Sequence, residues 1–221
     1  MRIALILIAS LLISCKKEIE IETNLPKQVK EKSVSEILLN LSKTDTISKL
    51  DLSHKKLDSL PDLSMFKIIT LDLSHNNLDT IPINKLPLTL RKLKCTDNKL
   101  RKFMVMNYKN SFIPELQSYH NCDLNLEEID LSNNQLKVVT IKMLSIKKNK
   151  ILPKKIIVSN NKIENLAIND NIHYLDISNN PNINAEVLFA VEKIDTLIQT
   201  NNPKKLKTKR IPPPTTPIIC F

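Results

Sequence analysis

Between Ile68 and Leu78 the apolar residues fall as I-x-x-L-x-L-x-x-N-x-L, with Leu71, Leu73, Asn76 and Leu78 in the fixed places. No other feature restricts the chain as much, because the phrase returns along its length. Leu71 and Leu73 alternate with Asp72 as in a short strand, so both leucines face one way and the aspartate the other. Asn76 then turns the chain: its side chain bonds neighbouring backbone groups and it tolerates unusual dihedrals, so the strand ends there without glycine. One such phrase cannot bury its own leucines. It needs copies stacked above and below it.

The copies are ISKLDLSHKKL (47–57), the Ile68 phrase itself, LRKLKCTDNKL (90–100), a degenerate IPELQSYHNCD (113–123), LEEIDLSNNQL (126–136), KKIIVSNNKI (154–163), NIHYLDISNN (171–180) and KIDTLIQTNN (193–202). The residues that stand where Leu71 does are Leu50, Leu71, Leu93, Leu116, Ile129, Ile156, Leu175 and Leu197, separated by 21, 22, 23, 13, 27, 19 and 22 residues. An asparagine column follows them at Asn76, Asn98, Asn121, Asn134, Asn161, Asn180 and Asn202, and fails only at Lys55. The period lies in the range of about 20–29 residues that marks leucine-rich repeats, and over residues 47–202 the chain resembles that family. The resemblance implies an α/β solenoid with a parallel β-sheet on its concave side and about eight repeats. Segments such as LDSLPDLS and LPLTLRKLKC are similar to the short repeats of bacterial members, whose convex side is mostly extended. In that family the asparagine ladder is structural. Thirteen residues between Leu116 and Ile129 are too few for a turn of the coil, so slippage or an insertion is expected there. The competing phrase IKMLSIKKNKI (141–151) is read as convex or inserted.

The ends have other compositions. MRIALILIASLLISC reads as a secretory signal, with one basic residue, an apolar run from Ile3 to Ile13 and Ser14 before Cys15. Leu12-Ile13-Ser14-Cys15 resembles the lipobox of bacterial lipoproteins, which implies cleavage after residue 14 and acylation of Cys15. Each buried CH₂ of an acyl chain contributes roughly 0.8 kcal/mol to membrane binding. Residues 15–32 read as a flexible tether, and Lys16-Lys17-Glu18-Ile19-Glu20 loosely resembles a surface-export signal of Bacteroidetes lipoproteins. Ser33 and Glu36 have capping-box spacing, which places a short N-terminal cap helix within 33–46. NAEVLFAVEKI (184–194) is helix-like, and residues 203–221 form a basic, proline-rich, extended tail.

The absence of glycine excludes P-loops, dinucleotide fingerprints and glycine-built nucleophile elbows. With aromatics at only 4%, the core has to be aliphatic. His54 and His75 fall on adjacent rungs, about 4.8 Å apart in the stacking direction. Yet no Cys/His/Asp set has zinc-like spacing, so no metal, cofactor or catalytic residue is assigned. Cys95 replaces an inward leucine and reads as a small buried residue. If Cys15 is acylated an odd three cysteines remain, of which Cys122 and Cys220 could pair. Six lysines between 142 and 155 and five cations in the tail carry more than the whole net charge of +10. Such patches suit headgroups or an anionic envelope polymer; an exported location argues against nucleic acid.

The expectation is a non-enzymatic, lipid-anchored module of a bacterial cell envelope, at the outer membrane and the cell surface. Its concave face would bind a protein through Asp51, Asp72, Lys92, Lys94, Glu128, Asp130 and Tyr174. The alternative is a structural envelope protein that holds anionic polymer or headgroups through its lysine-rich stretches.

Overall fold

The computed structural model describes residues 32–106, 124, 126–142, 146–147, 150–151, 154–168, 172–183, 187–190, 194–205 and 207–210. The signal segment, Cys15, nearly all of the tether, the phrase at 113–123, Cys122 and Cys220 lie outside them. Helix α1 (Val34–Leu39) comes first, then strands β1 (Thr46–Asp51), β2 (Lys67–Asp72), β3 (Lys92–Lys94), β4 (Lys102–Met106) and β5 (Glu128–Asp130). They are followed by β6 (Val138–Lys142), β7 (Ile146–Lys147), β8 (Lys150–Ile151), β9 (Lys154–Ile157) and β10 (Asn165–Ile168). The last are β11 (Ile172–Asp176), β12 (Val187–Ala190), β13 (Thr196–Ile198) and β14 (Lys207–Arg210).

Seven of these strands form one parallel sheet in the order β1-β2-β3-β5-β9-β11-β13. Its register stacks Leu50, Leu71, Leu93, Ile129, Ile156, Leu175 and Leu197 in a single row, the row that the repeat phrase marks. Leu116 is not in it. β3 pairs directly with β5, so the 113–123 phrase supplies no rung among the described residues, and the described sheet has seven rungs where about eight repeats were expected. Leu93 and Ile129 are 36 residues apart in the chain.

The far side of the coil is extended, and part of it is more ordered than the sequence suggests. β10, β6 and β4 make a second parallel sheet, with Lys102, Val138 and Asn165 in register. Prolines explain where this sheet stops. The earlier turns carry Pro61, Pro82 and Pro87, which have no N–H to give a ladder. There the chain is tied by single bonds, such as Leu63 N–H to the Lys85 carbonyl at 2.9 Å, and by a 3₁₀ turn at Ile83–Lys85. Phe103, Val105, Val139, Ile141 and Ile168 point inward from the second sheet and meet Leu71, Leu93, Ile129 and Ile156 in one aliphatic core. The 141–151 phrase stays out of the long sheet, as expected: its start ends β6, and β7 with β8 forms an antiparallel pair.

At the N-terminus the capping box is present. Ser33 N–H donates to Glu36 Oε2 at 2.8 Å, and Glu36 N–H donates to Ser33 Oγ at 3.2 Å. Val34, Ile37, Leu38 and Leu41 pack, partly buried, against the core and cover its first layer. The helix is shorter than the 33–46 segment because Asn40 ends it, donating from its amide to the Glu36 carbonyl at 2.7 Å. One expectation near the other end needs correction. The helix-like segment contains a strand, β12, which pairs in parallel with β14 of the basic tail. Val187 and Phe189 are residue types enriched in strands.

Candidate binding surface on the long sheet

Side-chain chemistry at the strand ends sets the rungs at a fixed spacing. Oδ1 of Asn76, Asn98, Asn134, Asn161 and Asn180 accepts the backbone N–H of Leu57, Leu78, Leu100, Leu136 and Ile163 respectively, at 2.9 to 3.2 Å. Each Nδ2 donates back to a carbonyl of the preceding rung, those of Leu52, Leu73, Cys95, Leu131 and Val158, at 2.9 to 3.1 Å. These asparagines are buried and bonded at both ends of the amide, so the column is a second ladder beside the backbone one.

The column residue does not itself take the unusual dihedral. Positive φ occurs one residue earlier, at His54, His75, Asp97, Asn133, Asn160, Asn179 and Asn201, and also at Lys56. Six of the seven rung positions therefore have the partner residue in the column and the left-handed residue before it. His, Asp and Asn are the residue types that enter this region most easily without glycine. His54 and His75, read as possible ligands, are in these turns, with their rings stacked at 4.2 Å. Parallel rings do not converge on one ion, and among the described residues no three His, Cys, Asp or Glu side chains form a group that could hold a metal.

The outward positions of the long sheet form two rows. One runs Lys49, Thr70, Lys92, Glu128, Lys155, Tyr174, Thr196; the other runs Asp51, Asp72, Lys94, Asp130, Ile157, Asp176, Ile198. All seven proposed binding residues are on this face. They do not all have the freedom that the sequence suggests. The aspartates are clasped by the serine two residues on: Ser53, Ser74, Ser132 and Ser178 each donate a backbone N–H to Oδ1 of Asp51, Asp72, Asp130 and Asp176, at 2.9 to 3.1 Å. The hydroxyls of Ser53, Ser132 and Ser178 add a second bond at 2.7 Å. Ser53, helped by Lys49, lowers the Asp51 carboxyl to about 2. The D-x-S spacing carries this signal and was available in the sequence.

The lysines at the N-terminal end are also engaged. Lys49 bonds Asp51 at 3.2 Å, Lys92 bonds Glu128 at 2.6 Å and Lys94 stands 3.6 Å from Asp72. Asp72 is thus held by Ser74 on one side and Lys94 on the other, and faces no uncompensated repulsion from Asp51. Between the rows lies a shallow depression of about 190 Å³, lined by Thr70, Lys92, Lys94, Glu128, Asp130, Lys155 and Ile157 among others. Lys155, Ile157, Asp176 and Ile198 were not among the expected binding residues. Their places follow from the markers Ile156, Leu175 and Leu197, one residue to either side.

Away from this face, Cys95 is fully buried, and its burial pushes the thiol up, with Asp72 and Asp130 adding to the effect. Lys154 leaves the solvated run to which the sequence assigns it: it is buried, and its ammonium donates to the Leu126 carbonyl at 2.5 Å. Lysine next to lysine in the sequence therefore points to opposite faces of β9.

The family model described as Leucine Rich Repeat matches residues 67–87 and 125–159, which include β2 and the run from β5 through β9. The match supports a leucine-rich-repeat family, and the fold is a leucine-rich-repeat solenoid with few helices. No curated protein matches the chain.

Proposed function

We propose that the chain is a non-enzymatic binding module of a bacterial cell envelope, anchored by acyl chains on Cys15 and presenting its long sheet to a protein partner. The observation that carries the binding half is the pair of outward rows, seven rungs deep, at a spacing held by the asparagine ladder. Rigid, regularly spaced side chains lose little freedom on docking, which suits a protein-sized surface. The anchoring half rests on the lipobox-like residues 12–15, and a position at the outer membrane or the cell surface is part of the proposal. The alternative, an envelope protein holding anionic polymer through lysines, is weaker by one cation now that Lys154 is in the core.

One experiment separates the two. The full chain is expressed in a bacterial host with Lys92→Glu/Lys94→Glu, with the tail lysines Lys204, Lys205, Lys207 and Lys209 changed to Gln, or with Cys15→Ala. Envelope fractionation in detergent and cross-linked pull-down then follow at low and high salt. The proposal expects Cys15→Ala to leave the detergent phase and the sheet variant alone to lose its protein partners. Loss of envelope association in the tail variant, with the sheet variant unchanged, would overturn it.

A further inference from the structure

We infer that the recognition centre of this surface is at its C-terminal end, on Lys155, Ile157, Tyr174 and Ile198, and that it takes a protein segment carrying a carboxylate beside a large apolar side chain. This rests on the reading of the sheet as a protein-binding face and narrows it.

The two ends of the sheet differ in how their charges are used. At the N-terminal end Lys49, Lys92 and Lys94 all have carboxylates of this chain. Lys155 forms no ion pair among the described residues: Glu128, its register neighbour on β5, is engaged by Lys92, and the Lys155 ammonium lies over the Tyr174 ring, 5.4 Å from the centroid. A cation held over an aromatic face keeps its charge directed outward and is available to an incoming anion. Next to it the second row turns apolar. Ile157 and Ile198 stand where the earlier rungs carry Asp51, Asp72 and Lys94, and both are partly exposed. An aromatic and two aliphatic groups in one patch suit an interface centre, and the charged pairs at the other end, already closed on themselves, suit its rim.

The spacing defines the partner. Lys155 and Ile157 are two residues apart on β9, so about 7 Å separates an acid that meets the lysine from an apolar group that meets the isoleucine. Ile198 lies two rungs from Ile157, about 10 Å across the sheet, and widens the apolar floor. Asp176 sits between the two isoleucines with one oxygen engaged by Ser178. It repels an acid placed over the second row, and so fixes which way round the segment lies.

The test uses the full chain as bait for a random dodecapeptide library displayed on phage, followed by binding measurements on the enriched peptides. The expected peptides place Asp or Glu within a few residues of Leu, Ile, Phe or Met. Lys155→Glu should weaken them about tenfold or more, since opposed like charges at an interface are costly. Changing the peptide acid to Lys should restore binding to Lys155→Glu. Ile157→Ser should also weaken binding, and Lys162→Glu, exposed and outside both rows, should not. Urea midpoints of each variant separate a lost contact from a lost fold. Enriched peptides without an acid overturn the inference, as does indifference to Lys155→Glu. So does a Lys155 dependence that appears only with vesicles of equal parts phosphatidylcholine and phosphatidylglycerol, which marks a lipid site. Loss of peptide binding in Lys92→Glu/Lys94→Glu with Lys155→Glu unaffected overturns this placement and leaves the protein-binding reading standing. Loss in neither overturns both.

Discussion

The residue before the asparagine column is selected by backbone sterics and not by packing. Asn133 is there with φ 56° and an exposed side chain, so substitutions at it report the backbone almost alone. Asn133→Val forces a β-branched residue into the left-handed region and should lower stability by about 1–2 kcal/mol. Asn133→Gly should be close to neutral, because glycine enters that region freely and loses only chain entropy. Urea midpoints check both; equal losses would mean that the side chain and not the dihedral matters. The clasp on Asp51 acts on another coordinate, pH. Its folded carboxyl titrates near 2 against an ordinary 3.8, so the unfolded chain binds more protons between these values and stability rises with pH there. The contribution is complete above about 4 and is lost as pH falls through about 2; with Asp51 half exposed it amounts to at most about 1 kcal/mol. Ser53→Ala should therefore be less stable than the parent at neutral pH, by a gap that closes by pH 2. A gap constant over that range would sink the assignment.

At the scale of a rung, the asparagine column joins neighbours that the backbone ladder leaves apart. Asn98→Ala would strand the Leu78 N–H in the core and take one of two donors from the Leu73 carbonyl, which keeps the Asn76 amide, and from the Thr96 carbonyl, which keeps the His75 N–H. One buried unsatisfied group costs about 1–3 kcal/mol, so a loss of about 2 kcal/mol is expected. Asn202→Ala is the control. Asn202 bonds the Asn180 N–H and the Ile177 carbonyl in the same way, but it is partly exposed at the last rung, where water can replace the amide. Its loss should be about 1 kcal/mol or less, and equal losses at the two sites, by urea midpoint, would contradict the ladder's role. The rungs themselves were legible because inward leucines and a polar turn recur with one period. The convex sheet was not: Lys102–Met106, Val138–Lys142 and Asn165–Ile168 share no phrase, and they pair because the long sheet has already brought them level.

Over the whole molecule, the amino-acid order by itself determined the repeat period, the inward row from Leu50 to Leu197, the cap box at Ser33 and Glu36, and the face on which the seven candidate residues lie. Each follows from a local rule: alternation on a strand, a side chain reaching its own backbone, an apolar face too small to be buried alone. What only the tertiary structure decided depends on which distant segments become neighbours. β3 meets β5 directly, so the row has seven members among the described residues. Val187–Ala190 becomes a strand because Lys207–Arg210 runs beside it. Lys154 and Lys155 are one charge run in the chain and two environments in the fold, core and surface. The same holds for charge on the binding face. Asp72 with Lys94 and Lys92 with Glu128 are 22 and 36 residues apart in sequence, and stacking at strand spacing closes them into pairs. Lys155 falls between Glu128, which Lys92 already engages, and Tyr174, over whose ring its ammonium lies.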